Sequence, residues 1–558
     1  MVQLLWVDDE AELLKAHIIF LEKKGYAVTT VSNGTDAIDL CQERSFDLVL
    51  LDEQMPGLSG LETLQRIKQI TPSTPVVMVT KSEEENIMEQ AIGQKIADYL
   101  IKPVNPNQIL LVLKKNIHRR EIETEVTQSQ YQQQFQQIAM QIQDCRTWQD
   151  WVAVYKQLVH WELQLSSTDS QMTEMLAMQK EEANQAFGKF VKKNYISSLS
   201  GPTPDRPSPQ PLPTGRGVYT SSAEKSRVKG TRGIGNYSPP SQGGAGGGSP
   251  LFSPQLFSRR VFPLLDKKEK VFLVVMDNFR YDQWRLLSQE IGNDFDIDED
   301  LYFSILPTAT QYARNAIFSG LMPNQIEQMF PELWVDEDSE EGKNLNEAPL
   351  IQTQIDRYRR HDTFSYHKIN TSAEADRLLQ QFKSLDRYDL NVVVFNFIDM
   401  LSHARTESRM VRELANNESA YRSITLSWFR HSVIADFFRM LAQTPYKVIV
   451  TTDHGSIRCT KPIKIIGDRN TNTNLRYKLG KNLGYDSKDL FVIKNPAEAQ
   501  LPSPNLSTSY VFATGDAFFA YPNNYNYYVS YYKDTFQHGG ISMEEMIIPL
   551  ITLTGKRR

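Results

Sequence analysis

The chain has 558 residues, 40% of them hydrophobic and 23% charged, with a net charge of −6. That length exceeds a single core, and domains of about 100–200 residues make roughly three units the expectation. The balance suits soluble globular domains and excludes a polycation built as a whole for nucleic acid.

The chain begins MVQLLWVDDEAELLKAH, with acidic residues where a secretory leader has a basic start and a long apolar stretch. No uninterrupted apolar run approaches the roughly 18–20 residues of a membrane span. Cys41, Cys145 and Cys459 lie far apart and form no CxxC, which excludes a disulfide scaffold and a cysteine zinc ribbon. The expectation is a cytoplasmic protein without membrane insertion.

Residues 1–118 alternate short apolar runs (LLWVDD, DLVLLDE, PVVMVTK, DYLIKP) with helical stretches such as AELLKAHIIFLEKKG, the pattern of a doubly wound α/β domain. Asp8 and Asp9 end the first run, Asp52 the third, Thr80 the fourth and Lys102 the fifth. Strand C-termini converge on one sheet edge, so these side chains meet there. Clustered carboxylates repel one another, and a hard cation such as Mg²⁺ neutralises them through oxygen ligands. The metal and Lys102 stabilise charge on a phosphoryl group while Asp52 attacks, Thr80 offers a hydroxyl to the new phosphate, and Tyr99 swings in behind it. The set, with DEQMPG and KP around it, resembles the CheY-like receiver domain of two-component response regulators. That resemblance implies phosphorylation of Asp52 by a cognate histidine kinase, and a switch whose output lies downstream.

Residues 119–200 are rich in Gln, Glu and Leu with apolar residues at helical spacing, which predicts a small helical bundle linker with Trp148, Trp151 and Trp161 in its core and Cys145 and His160 as packing residues. Residues 201–257 begin with a Pro/Gly/Ser-rich stretch, 201–250, with too little apolar content to offset ordering entropy, and read as a disordered insert. No helix-turn-helix with a basic recognition helix follows the first domain, which disfavours a DNA-binding output.

Residues 258–558 return to α/β alternation, with KVFLVVMD, LNVVVFNFID and YKVIVTTDHG as buried, parallel strands. Asp277 and Asp399 end two of these runs, His403 follows Asp399 as D-x-x-x-H, Asp453 and His454 end the third, and His538 lies in FQHGG. Three aspartates and three histidines exceed the three or four ligands of one metal site and suit two ions, with zinc favoured by mixed nitrogen and oxygen donors. Paired metals about 4 Å apart suit phosphoryl transfer.

VVMDN, LPTATQYARNAIFSG, FIDMLSH, TTDHGS and QHGGISMEEMIIP together resemble the alkaline-phosphatase superfamily and, within it, the PglZ domain. The order receiver, helical linker, PglZ is similar to the PorX-like response regulators, associated with type IX secretion and gliding motility. The resemblance implies one zinc held by Asp399, His403 and His538, and a second by Asp277, Asp453, His454 and the nucleophile. The family motif sets that nucleophile one residue beyond a Pro-Thr-x unit, which is Thr310, leaving Thr308 to cap or brace the turn. A threonine there argues against a sulfatase and for phosphodiesters: nucleotides or linear and cyclic oligonucleotides. Asn278 and Asn315 are candidate donors to a phosphate oxygen, and Arg469, Arg476 and Lys478 in GDRNTNTNLRYKLGKN are candidate nucleotide contacts. Dimerisation on phosphorylation is the expected mode of regulation. The rival reading is a signalling adaptor whose zinc is structural and which docks to a sigma factor or a type IX secretion component.

Overall fold

The computed structural model describes residues 2–71, 74–81, 96–166, 171–199, 249–335, 344–415, 417–468, 471–485, 488–505 and 507–556. The insert expected from 201 and residue Arg469 lie outside these, apart from 249–257. The chain divides into two compact units, Met1–Gln134 and Phe135–Arg558.

In the first unit, strands β1 (Val2–Val7), β2 (Tyr26–Val31), β3 (Leu48–Asp52), β4 (Val76–Thr80) and β5 (Asp98–Ile101) form a parallel sheet in the order β2-β1-β3-β4-β5. β3 and β4 are buried at every residue, as strands covered on both faces must be. Leu5, Val7, Val49 and Leu51 pack with Ala37, Cys41, Leu64 and Ile67 of two helices on one face. Leu4, Trp6, Leu48 and Leu50 pack with Leu21, Ile109 and Leu113 on the other. A single 39-residue helix, Pro106–Asp144, runs through the boundary expected at residue 118. No glycine or proline interrupts the sequence between Pro106 and Asp144, so nothing local stops the helix.

In the second unit, helices Trp148–Leu165 and Gln171–Leu199 pack on an α/β body. Its sheet comprises β6 (Val271–Met276), β7 (Phe295–Phe303), β8 (Phe364–Ile369), β9 (Leu390–Phe395), β10 (Lys447–Thr451) and β11 (Ile547–Gly555). They lie in the order β7-β11-β10-β6-β9-β8. β10, β6, β9 and β8 run parallel, and β11 is antiparallel to both of its neighbours. β6 and β9 are buried throughout, as their apolar runs require.

The linker tryptophans do more than fill a bundle. Trp148 sits edge-on to Phe187 and Phe190 of its own helices and also to Phe252 and Phe303 of the α/β body, the last at 4.6 Å. The hydroxyl of Tyr195 accepts from the Leu306 amide at 2.8 Å, at the entrance to the Thr308–Thr310 turn. Cys145 is buried, but His160 is exposed beside Trp161, contrary to the expectation of a packing residue. Its ring falls on the solvent side of a helix whose buried stripe is Trp151, Tyr155, Leu158 and Trp161. Among the described residues, no helix is long and apolar enough to cross a membrane.

Candidate active site

At the C-terminal edge of the first sheet, ligand oxygens of Asp8, Asp9 and Asp52 lie within 4.8 Å of one another. Lys102 Nζ bridges two of them, 2.9 Å from Asp8 Oδ2 and 2.8 Å from Asp52 Oδ2. Burial pushes the Asp52 carboxyl up, against the opposing pull of Lys102. Thr80 donates its hydroxyl to Glu53 Oε2 at 2.5 Å. Tyr99, the second residue of β5, is 41% exposed.

In the second unit, ligand atoms of Asp399, His403 and His538 lie within 4.8 Å of one another, and so do those of Asp277, Asp453 and His454. These are the two triads that the family resemblance implied. Asp277 follows β6 and Asp453 follows β10, but Asp399 does not end a strand. β9 stops at Phe395, and Asp399 lies in the first turn of helix Phe397–Glu407. The D-x-x-x-H spacing is therefore a helical i,i+4 pair, with His403 Nε2 3.4 Å from Asp399 Oδ2. His454 and His538 stack with ring centroids 4.2 Å apart.

Thr310 is the first residue of helix Thr310–Ser319. Its Oγ1 lies 3.0 Å from His454 Nε2 and 3.4 Å from Asp277 Oδ1. Helix N-termini favour anions through their free amides and dipole. Thr308 does not cap this helix, whose N-cap is Ala309. It braces the turn across the fold: its hydroxyl donates to Gly540 O at 2.8 Å and accepts from Gly539 N at 3.0 Å. Gly539 has φ +119, a conformation that favours glycine, and a Cβ there would stand 2.6 Å from Tyr477. Gly455, after His454, admits no side chain either, because a Cβ would lie 2.1 Å from Glu544 O.

The donor set fits divalent cations. Hydrogen-bond partners at Nδ1, Thr308 O for His538 and Gly455 O for His454, both at 3.1 Å, leave each Nε2 turned towards the carboxylates. Burial, with His454 alongside, pushes the His538 imidazole down to about 3, so it is neutral and can ligate. Burial raises the Asp277 carboxyl well above the usual range; Arg314 opposes this, while Asp453 and Asp399 add to it. Burial resists ionisation of Asp453 and Asp399 too. Arg314 and His454 nevertheless hold Asp453 low, and the hydrogen bond from His403 with the neighbouring imidazoles holds Asp399 low. Asp277, Asp453 and Glu347 share Arg314 and Lys368 among the described residues, three buried carboxyl groups on two cations, with Asp399 facing the His403 and His538 imidazoles. A bound divalent cation would favour the ionised form of these carboxyls.

Arg314 is the residue that sequence reasoning missed. Its side chain is 1% exposed and reaches Asp453 Oδ2 at 3.0 Å, Glu347 Oε1 at 3.3 Å and Asp277 Oδ2. The available signal was its position four residues after Thr310, the same face of one helix. Asn278, fully buried at φ 61, donates to Asp399 Oδ1 at 3.3 Å and so orients a carboxylate. Asn315 is 2% exposed within the Thr310 helix. Arg476 is not a nucleotide contact. It is fully buried, with its Nη2 2.6 Å from Glu545 Oε2, and its charge is already matched inside the protein. Lys478 is buried as well, donating to Asn472 O at 2.8 Å.

A family model described as the BREX system PglZ alkaline phosphatase-like domain matches residues 256–553, more than half of the chain. The chain belongs to the PglZ alkaline phosphatase-like family. Ahead of the PglZ domain, residues 4–114 match the response regulator receiver domain and residues 121–199 the PorX response regulator linker domain. This PglZ protein is thus a response regulator with the domain set of the PorX-like regulators. It is similar to the transcriptional regulatory protein ResD of Bacillus subtilis, 35% identical over 117 residues, 21% of this chain and 48% of ResD. It is equally similar, 35% over 124 residues, to the uncharacterized transcriptional regulatory protein YkoG of the same organism, covering 22% of this chain and 54% of YkoG. The chain spans about half the length of these curated relatives. Among solved structures, it resembles a response regulator receiver domain protein from Clostridium thermocellum at 31% identity, over 22% of this chain and 98% of that one, with a TM-score of 0.21.

Proposed function

We propose that this response regulator is phosphorylated on Asp52 by a histidine kinase, with Mg²⁺ at Asp8, Asp9 and Asp52, and that its PglZ domain is a zinc-dependent phosphodiesterase acting on nucleotide or oligonucleotide esters, linear or cyclic. The observation that carries the reading is the position of Thr310 Oγ1, beside both His454 Nε2 and Asp277 Oδ1 at a helix start. One zinc would be held by Asp399, His403 and His538, the other by Asp277, Asp453, His454 and Thr310. When bound, the ions supply charge stabilisation on the ester oxygens and a lowered pKa at the nucleophile.

The chain's own groups do the rest. The first-turn amides of the Thr310 helix receive the phosphate, Thr308 holds the turn against the His538 loop, and Asn278 fixes Asp399. Thr310 Oγ1 attacks phosphorus and gives up its proton to solvent. The bond to the leaving oxygen breaks, and a phosphothreonine ester is left. Water then attacks that ester at phosphorus and releases the second product with Thr310 restored. Thr310→Val tests this: it should keep its fold and its zinc and lose hydrolysis of bis-p-nitrophenyl phosphate and of dinucleotides. A role in type IX secretion and gliding rests on the shared domain order with PorX-like regulators. Docking to a sigma factor or secretion component with a purely structural zinc predicts instead that Thr310→Val changes nothing.

A further inference from the structure

One feature of the second unit serves neither its core nor its ligand triads. Helix Tyr525–Tyr532 reads YNYYVSYY, five tyrosines in eight residues, and none of its residues is buried. Tyr527 is 63% exposed and Tyr528 37%. A surface helix ordinarily buries one apolar stripe. Here Tyr532 leans on the core cluster of Ile457, Cys459 and Phe518. Tyr527, Tyr528 and Tyr531 are ordered against one another and against Tyr532. Tyr527 stacks on Tyr531 with centroids 6.1 Å apart at 17°, and Tyr528 on Tyr532 at 6.1 Å and 11°. Cations flank them: Arg412 lies 5.1 Å over the Tyr531 ring and Lys464 5.2 Å over Tyr525.

Two chain paths tie this face to the ligand triads. The helix leads through Phe536–Gln537 to His538. Arg412 follows the helix that carries Asp399 and His403, and Ser402 of that helix donates to Phe536 O at 3.1 Å. The His403 side chain is 65% exposed, so the Asp399, His403 and His538 triad is open on the side these elements border. Tyr531 and His538 stand seven positions apart, at most about 25 Å of extended chain and the reach of a few nucleotides.

We propose that Tyr525–Tyr532, with Arg412, is a stacking platform for the unpaired bases of a single-stranded oligonucleotide whose phosphodiester lies at Thr310. Exposed aromatic faces beside cations recognise bases whatever their sequence, while the cations attend to the phosphates. The inference rests on the phosphodiesterase reading for its substrate class and adds a site to it.

The test uses full-length protein carrying Thr310→Val, so that ligand is not consumed. Fluorescence anisotropy is read with a 5′-labelled deoxyadenylate hexamer and with an abasic strand of equal length. Tyr527→Leu/Tyr531→Leu should weaken hexamer binding about tenfold, the usual effect of losing one or two stacked bases. Abasic-strand binding should stay put. Tyr527→Phe/Tyr531→Phe keeps both ring faces and should retain hexamer affinity, which separates stacking from a hydroxyl contact and from a misfolded helix. Equal hexamer binding by the leucine pair, or equal loss in the phenylalanine pair, overturns the platform. So does conversion of a nucleotide-free dimer to a monomer by the leucine pair, since the rings would then be covered by a second copy. The two readings fail separately. A wild type that turns over no phosphoester but binds hexamer through its rings removes the enzyme and leaves the platform. A wild type that cleaves dinucleotides while the leucine pair binds hexamer normally does the reverse.

Discussion

Replacing Arg314 by methionine keeps most of the side-chain volume and removes one charge from a closed cluster. The guanidinium is 1% exposed, and the side chains of its partners Asp277, Asp453 and Glu347 are 5%, 0% and 2% exposed. Without it, Asp277 and Asp453 face each other with no lysine or arginine paired to them among the described residues, and Glu347 keeps Lys368 at 2.9 Å and the Tyr366 hydroxyl. Removing one partner of a buried ion pair costs about 3–5 kcal/mol, because the other charge is left buried and alone. Six of the seven tryptophans lie beyond residue 134, so tryptophan fluorescence in a urea titration reports on this unit. With metal chelated at pH 8, Arg314→Met should unfold at a markedly lower urea concentration than the parent. Lowering the pH towards 5 should shrink the difference, since a protonated carboxyl no longer needs a partner. Saturating zinc should return about 3 kcal/mol at a hundredfold excess over its Kd, because the ion replaces the lost positive charge. A loss below about 1 kcal/mol in the metal-free state, or no response to zinc, would refute the reasoning, since an exposed pair alone is worth that little.

Other expectations follow from the same structure. Lys180 and Arg422 each lie 2.6 Å from Glu162, and although burial opposes it, they hold that carboxyl down to about 2 from 4.5. A depressed folded pKa gives stability that is present above 4.5 and lost as pH falls towards 2, here about 3 kcal/mol. Glu162→Gln should therefore be less stable at neutral pH, with the gap closing as pH drops through that window in denaturant midpoints. Trp148→Ala should cost about 3–5 kcal/mol in the same titration by opening a cavity between the linker helices and Phe252 and Phe303. Beryllofluoride with Mg²⁺ should convert the wild type to a dimer in sedimentation velocity and leave Asp52→Asn monomeric; an unchanged monomer would refute phosphorylation-driven dimerisation.

Much of this was readable in advance wherever a carboxylate follows an apolar strand. Asp8, Asp52, Asp277 and Asp453 all stand at the ends of buried parallel strands, where one sheet edge must gather them. The misreadings share a physical cause. Asp399 appeared to continue an apolar strand because VVVFNFID is apolar through both β9 and the first helical turn. Arg476 sat in a polar stretch that looks solvated, yet Glu545, 69 residues later, neutralises it in the core. Glu347 carries no local marker and Arg314 only its place one turn beyond Thr310; the tertiary fold brings Arg314 to Asp277 and Glu347 to Arg314.

The most direct measurement is hydrolysis of bis-p-nitrophenyl phosphate by wild type and Thr310→Val at matched zinc content. Two zinc ions per chain in both proteins, turnover by the wild type and a loss of at least about a thousandfold in the variant are expected of a threonine nucleophile. Equal turnover in both, or a zinc-loaded wild type that hydrolyses no phosphodiester, would contradict it.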